Sequence, residues 1–303
     1  MFLFDIIIPT YNNFEELKNC LVAFEYQTIK NFRVFVCIDG STDETLSFLQ
    51  EYSYKAPYSI RILQHPDCQN HGRNATRNLS LPYVESEFLV FCDSDCVPRK
   101  DFLQQHHSIL KQNNTVSIGD IIYQNAHTNL WAAYLHTRGK RKYKNGQEIP
   151  FTYITTGNLG LPTRFFSSIG GQDATMKSYG GGDTEFAYRL FKKFSCKPIY
   201  NASAISDSVM AKTIPFALDQ MESFGQQNFA YIRKKHPEFT SIYKAHLLTK
   251  STLKARLFQC GLHPFLGIIS ETLCSILPIS FATFFVGHAV GSRILKGYKK
   301  STL

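Results

Sequence analysis

A three-layer α/β architecture followed by a basic, helical extension is the fold class that this sequence predicts. Three observations predict it. Short apolar runs alternate with amphipathic helical patterns over the first 125 residues, turns rich in Asp, Gly and hydroxyls follow those runs, and the net charge is confined to the final quarter. Runs of this kind, apolar throughout rather than alternating, are the mark of parallel strands covered by helices on both faces. The 303 residues suffice for one large domain or two smaller ones, and 44% apolar content supplies a packed core.

The elements follow in order. FDIIIP (4 to 9) reads as the first strand, and NFEELKNCLVAFEYQ (13 to 27) as a helix with Leu17, Cys20, Leu21 and Phe24 on one face and Asn13 as candidate N-cap. RVFVCID (33 to 39) is a second strand, followed by STDETLSFLQEY (41 to 52), where Ser41 and Glu44 have capping-box spacing. SIRIL (59 to 63) is a third strand, GRNATRNLSL (72 to 81) opens a third helix, and FLVFC (88 to 92) is a fourth strand. Beyond residue 126 the pattern loosens. HTRGKRKYKNGQEIP (136 to 150) is polar and basic and reads as a mobile loop; YITTGNLGLPTRFFSSIGGQD reads as strand, turn and short helix, and GGGDTEFAYRLFKKF (180 to 194) as a glycine turn opening an amphipathic helix. These patterns divide the chain into residues 1–230, with the α/β alternation over about 1–125 and a looser part over about 126–230, and a tail at 231–303.

Charge narrows the function. Residues 231 to 303 hold eleven Lys/Arg against Glu238 and Glu271, which accounts for the whole formal charge of +9, so the rest of the chain is neutral. A localised charge of this kind argues against a nucleic-acid partner. Eight cysteines without repeating spacing point to a reducing compartment. MFLFDIIIPTYNN lacks the basic leader and cleavage site of a signal peptide, which predicts a cytoplasmic protein. Residues 272 to 290 contain no Asp, Glu, Lys or Arg but are diluted by Pro278, Gly287 and His288 and flanked on both sides by basic residues. One span cannot leave both flanks inside, so a segment lying on an anionic inner leaflet is expected, with ordinary core helices as the alternative.

Ligands of open α/β sheets collect at the carboxyl ends of strands, and there the chemistry-bearing residues sit. Asp93 and Asp95 follow the fourth strand one residue apart; two hard oxygens suit Mg²⁺ or Mn²⁺, although Asp-Ser-Asp-x-x-Pro also makes a good turn. Asp39, before Gly40, can accept hydrogen bonds from a base or sugar, and Pro9-Thr10-Tyr11 supply an aromatic wall. Arg73 and Arg77 are placed to attract phosphate near a helix start, or to form a solvated basic face. Asp183, after three glycines, and Glu185 are candidates for a general base or for mere helix caps. His65-x2-Cys68-x2-His71 falls short of a zinc site.

IIIPTYNN, CIDGSTDET, NHGRNATRN, FLVFCDSD and GGGDTEFAYRL, in this order over about residues 4 to 194, resemble the family 2 glycosyltransferases of GT-A fold. The resemblance implies that Asp39 binds uracil or ribose, Pro9, Thr10 and Tyr11 line the base pocket, and Arg73 or Arg77 holds the nucleotide. It implies further that Asp93 contacts ribose and metal, Asp95 ligates Mn²⁺ or Mg²⁺, and Asp183 deprotonates the acceptor hydroxyl. The reaction implied is inverting transfer of a sugar from a nucleotide diphosphate, UDP foremost, to a glycan or lipid-linked acceptor. Donor specificity is expected near Gly157 and Asn158. The sequence departs from the family pattern at Ile38, where a first Asp is usual, and at Gly182, where a Glu is usual, so that an acceptor contact is either lost or moved to Glu185. Asp207 stands where many relatives place a metal-binding His. A sugar nucleotidyltransferase of the same fold would need a glycine-rich phosphate loop and lysine after the first strand, which PTYNNFEEL lacks; a scaffold that has lost activity through Ile38 and Gly182 is the other alternative.

Overall fold

The computed structural model describes residues 2–242 and 245–301; Lys244, counted in the basic tail, lies outside them. The chain divides into two compact units, one of Met1–Ile122, Gly139–Lys177 and Asp183–Val209, the other of Tyr123–Arg138, Ser178–Gly182 and Met210–Leu303. By compactness the second unit takes the chain from Met210 onward together with two internal segments.

The first unit is built on β1 (Phe4–Thr10), α1 (Phe14–Glu25), β2 (Phe32–Ile38), α2 (Thr45–Lys55), β3 (Ser59–Gln64), α3 (Arg73–Asn78), β4 (Phe88–Cys92), β5 (Cys96–Pro98), α4 (Phe102–Leu110) and β6 (Thr115–Tyr123). After α5 (Leu130–Thr137), which belongs to the second unit, come β7 (Asn158–Pro162), α6 (Thr163–Ser168), α7 (Gly182–Phe194) and β8 (Lys197–Ser208). The eight strands form one mixed sheet in the order β3-β2-β1-β4-β7-β6-β8-β5.

Alternation along β1, β2 and β4 sorts their apolar side chains to two covered faces. Ile6, Ile8, Val34, Val36 and Val90 pack with Leu17, Leu21 and Phe24 of α1 and Phe102 of α4, while Ile7, Phe35, Leu89 and Phe91 pack with Phe165, Phe166 and Phe186. Phe91 meets Phe166 and Phe186 edge-on, with ring centroids 5.3 and 6.0 Å away, and burial of each such ring contributes about 1.5–3 kcal/mol. Within β1, wholly buried Asp5 is held by Arg33 at 2.9 Å and by the amides of Glu85 and Ser86, as a buried carboxylate must be.

Four local expectations are corrected. β3 is an edge strand with half-exposed side chains rather than one covered on both faces. Asn13 does not cap α1 with its side chain, which bonds Thr10 and Ser94 instead. Ser41 and Glu44 form no capping box: the Ser41 hydroxyl accepts from the Asn12 amide, and Asp43 takes the amides of Phe14 and Thr45. The stretch at 136 to 150 is not an open loop, because α5 runs to Thr137 and Lys140 and Arg141 reach the buried carboxylate of Asp120 at 3.4 and 2.9 Å.

The second unit is helical. Besides α5 it contains α8 (Ile214–Phe224), a π-helical turn at Gly225–Phe229, α9 (Ala230–Lys235), α10 (Phe239–Ile242), α11 (His246–Thr249), α12 (Leu253–Gly261), α13 (Pro264–Ile276) and α14 (Ile279–Ser301). Trp131, Ala217, Cys274 and Val286 form its core. Glu222 of α8 receives Arg293, Lys296 and Lys300 of α14. The charge-free stretch at 272 to 290 is broken at Pro278 into the end of α13 and the start of α14, and no helix among the described residues is long and apolar enough to cross a membrane.

Candidate active site

Parallel register aligns the carboxyl ends of the three central strands. Thr10 lies opposite Ile38, and Ile7 opposite Phe91, so the turns beginning at Tyr11, Asp39 and Asp93 emerge on one edge of the sheet. β7 runs antiparallel to β4 with Asn158 opposite Cys92, and this reversal carries Thr156 and Gly157 to the same edge. The amide of Asp93 donates to the Gly157 carbonyl at 3.1 Å. A Cβ at Gly157 would lie 3.0 Å from both Asp93 Oδ2 and Ile121 Cδ1, so a side chain there would press on Asp93. One residue earlier, the Thr156 hydroxyl donates to Asp183 Oδ1 at 2.6 Å. Asp93 and Asp183, ninety residues apart in sequence, thus flank a two-residue bridge.

The environments of these carboxylates differ. Asp93 accepts a 2.7 Å hydrogen bond from Arg77 Nη2 and leaves 28% of its side chain in solvent; Asp95, two residues on, is exposed. Arg77 is buried, and its other terminal nitrogen points to Gln172 Oε1 at 3.4 Å. Asp39 is nearly sealed, accepting the amides of His71 at 2.8 Å and Gly72 at 3.1 Å. Asp183 is half-buried in the first turn of α7, where the peptide dipoles favour its charge.

Several expected site residues have other employment. Arg77 does not stand open for a nucleotide, because its guanidinium fixes Asp93. Arg73 is exposed at the start of α3, a helix of only six residues. Asn158 is buried and spends its amide on the carbonyls of Asp120 and Ala204 and its oxygen on His106 Nε2, so it stabilises the sheet rather than meeting a sugar. Glu185 is likewise wholly buried, with Arg189 Nε at 2.8 Å from each of its oxygens, and is no acceptor contact. Asp207 is bidentate to Arg99 at 2.9 and 3.0 Å and joins no ligand cluster. Gly40 allows close approach, but of the chain's own backbone: a Cβ there would sit 2.6 Å from the Gln69 carbonyl carbon. Pro9 and Thr10 are buried within β1, and Tyr11 presents an exposed ring. Gly182 is the first residue of α7. His65 and His71 bond Thr76 and Asp67.

Sequence reasoning missed Thr156, Gln172 and His106. His106 sits in a sealed network, with Ser117 Oγ at Nδ1 and Asn158 Oδ1 at Nε2, both 2.9 Å away. Burial pushes its pKa down to about 4 despite the hydrogen bond to Asn158. Nothing in the spacing of these three residues marks them, since each meets a partner far along the chain.

Among the described residues no group of three or more His, Cys, Asp or Glu is arranged to hold a metal. Asp93 and Asp95 nevertheless suit a divalent ion of the kind that takes one or two carboxylates and completes its shell with water and phosphate oxygens.

Comparison with known proteins accords with this geometry. Residues 5–169 match the model of Glycosyl transferase family 2. Chondroitin synthase of Pasteurella multocida (strain Pm70) is 26% identical over 222 residues, 62% of this chain and 23% of that protein. Poly(ribitol-phosphate) beta-N-acetylglucosaminyltransferase TarS of Staphylococcus aureus (strain Mu50) is 33% identical over 118 residues, 36% of this chain and 20% of that protein. The matches thus span less than a quarter of these relatives. Among solved structures, the mannosyltransferase PcManGT from Pyrobaculum calidifontis in complex with GDP-Man and Mn2+ has a TM-score of 0.64 at 14% identity, covering 98% of this chain and 88% of that one. S. aureus TarS 1-349 in complex with UDP-GlcNAc has 0.56 at 15% identity, covering 98% and 90%. At such identities the likeness is one of fold, the GT-A fold. With five motifs in order, a sheet that gathers them on one edge and a family match over more than half its length, the chain belongs to glycosyl transferase family 2.

Proposed function

We propose that this chain transfers a sugar from a nucleotide diphosphate donor, with UDP as the nucleotide, to a hydroxyl of a glycan or lipid-linked acceptor, inverting the anomeric configuration. The observation that carries the reading is the Thr156–Gly157 bridge, whose hydroxyl bonds Asp183 and whose carbonyl accepts the amide of Asp93. Asp183 serves as the base. Its half-buried position and its bond from Thr156 orient one oxygen and leave the other to take the acceptor proton, a role worth about 10²–10⁴ in rate. Asp93 and Asp95 would hold Mn²⁺ or Mg²⁺, which when bound neutralises charge on the departing diphosphate.

Arg77 keeps Asp93 in place, and Asp39, with lone pairs remaining beyond its two backbone bonds, accepts from the base or ribose beside Tyr11. Arg73, exposed at the start of α3, would meet phosphate there, and the backbone at Gly182 borders the acceptor. The TarS complex with UDP-GlcNAc supports the choice of UDP; the mannosyltransferase complex, which holds GDP-Man and Mn2+, supports the metal. The chain acts in this reading as a catalytic region over residues 1–230 and a basic, membrane-associated region over 231–303, peripheral on the cytoplasmic face of the cell membrane. A thermal-shift panel of UDP- and GDP-sugars with and without Mn²⁺ tests the donor site: stabilisation by a UDP-sugar that requires the metal is expected, and indifference to every nucleotide overturns the reading.

A further inference from the structure

The α13–α14 pair is built inside out for water. Its inner seam joins small or polar residues: Gly267 packs on Ser292, Cys274 on Ala282, and Ser270 bonds His288 Nδ1 at 2.9 Å. The large apolar side chains point outward instead, with Phe265, Ile268 and Ile276 of α13 at 65, 61 and 68% exposure and Phe281 and Phe284 of α14 at 62 and 79%. Phe265, Ile268, Thr272 and Ile276 recur every three or four residues and so form one stripe. On α12, Leu253 and Leu257, four residues apart, extend the exposed apolar surface. Small residues at a helix seam with bulky apolar residues outside is the packing of helices surrounded by lipid, where burying the large side chains between helices gains nothing. In water, large apolar side chains exposed in such number on neighbouring helices mark an interaction surface.

Charge decides what covers it. Across residues 245 to 290 the one acid is Glu271, and Arg293 Nε holds it at 2.6 Å. On and just before α12, exposed Lys250, Lys254 and Arg256 neighbour the exposed Leu253 and Leu257 in sequence. Beside α12 lies an open cavity of about 320 Å³ lined by Lys250, Ser251, Arg256 and Lys299, among others. Two copies meeting on this face would bring their cations together, whereas anionic headgroups would neutralise them.

We infer that α12, α13 and α14 dock the second unit on an anionic bilayer, with their apolar side chains in the acyl boundary and a phospholipid headgroup phosphate in the Lys250–Arg256–Lys299 cavity. Insertion is shallow, since none of these helices can span. The inference deepens the membrane placement proposed above and is independent of the transfer reaction.

The test is sedimentation of the full chain with vesicles of phosphatidylcholine alone or mixed equally with phosphatidylglycerol, alongside gel filtration and transfer to a soluble acceptor. Binding to the anionic vesicles is expected to be at least ~10-fold tighter and to weaken with salt. The triple variant Phe265→Ser, Phe281→Ser, Phe284→Ser loses at least ~10-fold in binding to both vesicle types. Lys250→Ala with Arg256→Ala abolishes the preference for phosphatidylglycerol and keeps the weaker binding. Both variants retain transfer, because the substituted side chains are exposed and outside the first unit. The inference is overturned if the wild-type chain ignores both vesicles, if the triple variant binds undiminished, or if the chain is a dimer that the triple substitution dissociates. Loss of transfer with vesicle binding intact would count against the proposed reaction and leave the docking surface standing.

Discussion

Replacing Arg77 with Met isolates what the Arg77–Asp93 pair contributes. Met keeps the apolar stem of a side chain that is 3% exposed and removes the guanidinium that donates to Asp93 at 2.7 Å. A charge-assisted hydrogen bond of this kind contributes about 1.5–3 kcal/mol, and breaking a fully buried pair costs about 3–5 kcal/mol. Asp93 keeps 28% of its side chain in water, which recovers part of its solvation. Arg77 Nε is buried without a partner, so its removal also relieves one unsatisfied donor. Both corrections favour the low end, a loss of about 2 kcal/mol, which for a chain of this size lowers the melting temperature by about 4 °C. The sharper readout is donor binding. With its anchor gone, Asp93 samples other rotamers, and Mn²⁺-dependent affinity for the nucleotide is expected to fall about tenfold, equivalent to about 1.4 kcal/mol. Arg77→Lys, which keeps the charge and loses the planar fork, should fall between wild type and Met. Calorimetric melting and nucleotide titration of the three proteins would settle the matter. Unchanged affinity in Arg77→Met would refute the claim that this pair organises the metal-binding carboxylate.

Three further expectations follow from the same geometry. Asp183→Asn should bind donor as wild type does while transfer falls by about 10²–10⁴, seen in steady-state rates beside nucleotide titration; a variant with near-normal turnover would remove Asp183 as base. Gly157→Ala forces a Cβ to within 3.0 Å of Asp93 Oδ2, so metal-dependent binding should weaken more than melting temperature drops, and a neutral result would mean that the bridge yields freely. His106 carries the pH prediction. Its folded pKa of about 4 lies below the ordinary 6.5, so the unfolded chain binds the extra proton and stability falls as pH drops from about 6.5 toward 4. The loss between about pH 7 and pH 5 from this one group is roughly 2 kcal/mol. Urea unfolding at both pH values should show a smaller difference for His106→Gln.

What the sequence by itself determined was the parallel half of the sheet. Apolar runs at 4 to 9, 33 to 39 and 88 to 92 specify parallel strands because only burial on both faces suits them, and the turns after such strands open on one edge. The placing of Asp39, Asp93 and Asp95 at that edge could therefore be read from spacing alone. Tertiary structure decided how each carboxylate is used. Antiparallel β7 brings Thr156 and Gly157 between Asp93 and Asp183, and no local pattern encodes a strand's direction. Arg77, Asn158, Glu185 and Asp207 were chemically suited to a ligand, yet each is engaged by a partner distant in sequence or, for Glu185, by Arg189 one turn along its own buried helix face. Composition shows that a side chain can bind; only packing determines whether its hydrogen-bonding capacity has already been taken up within the protein.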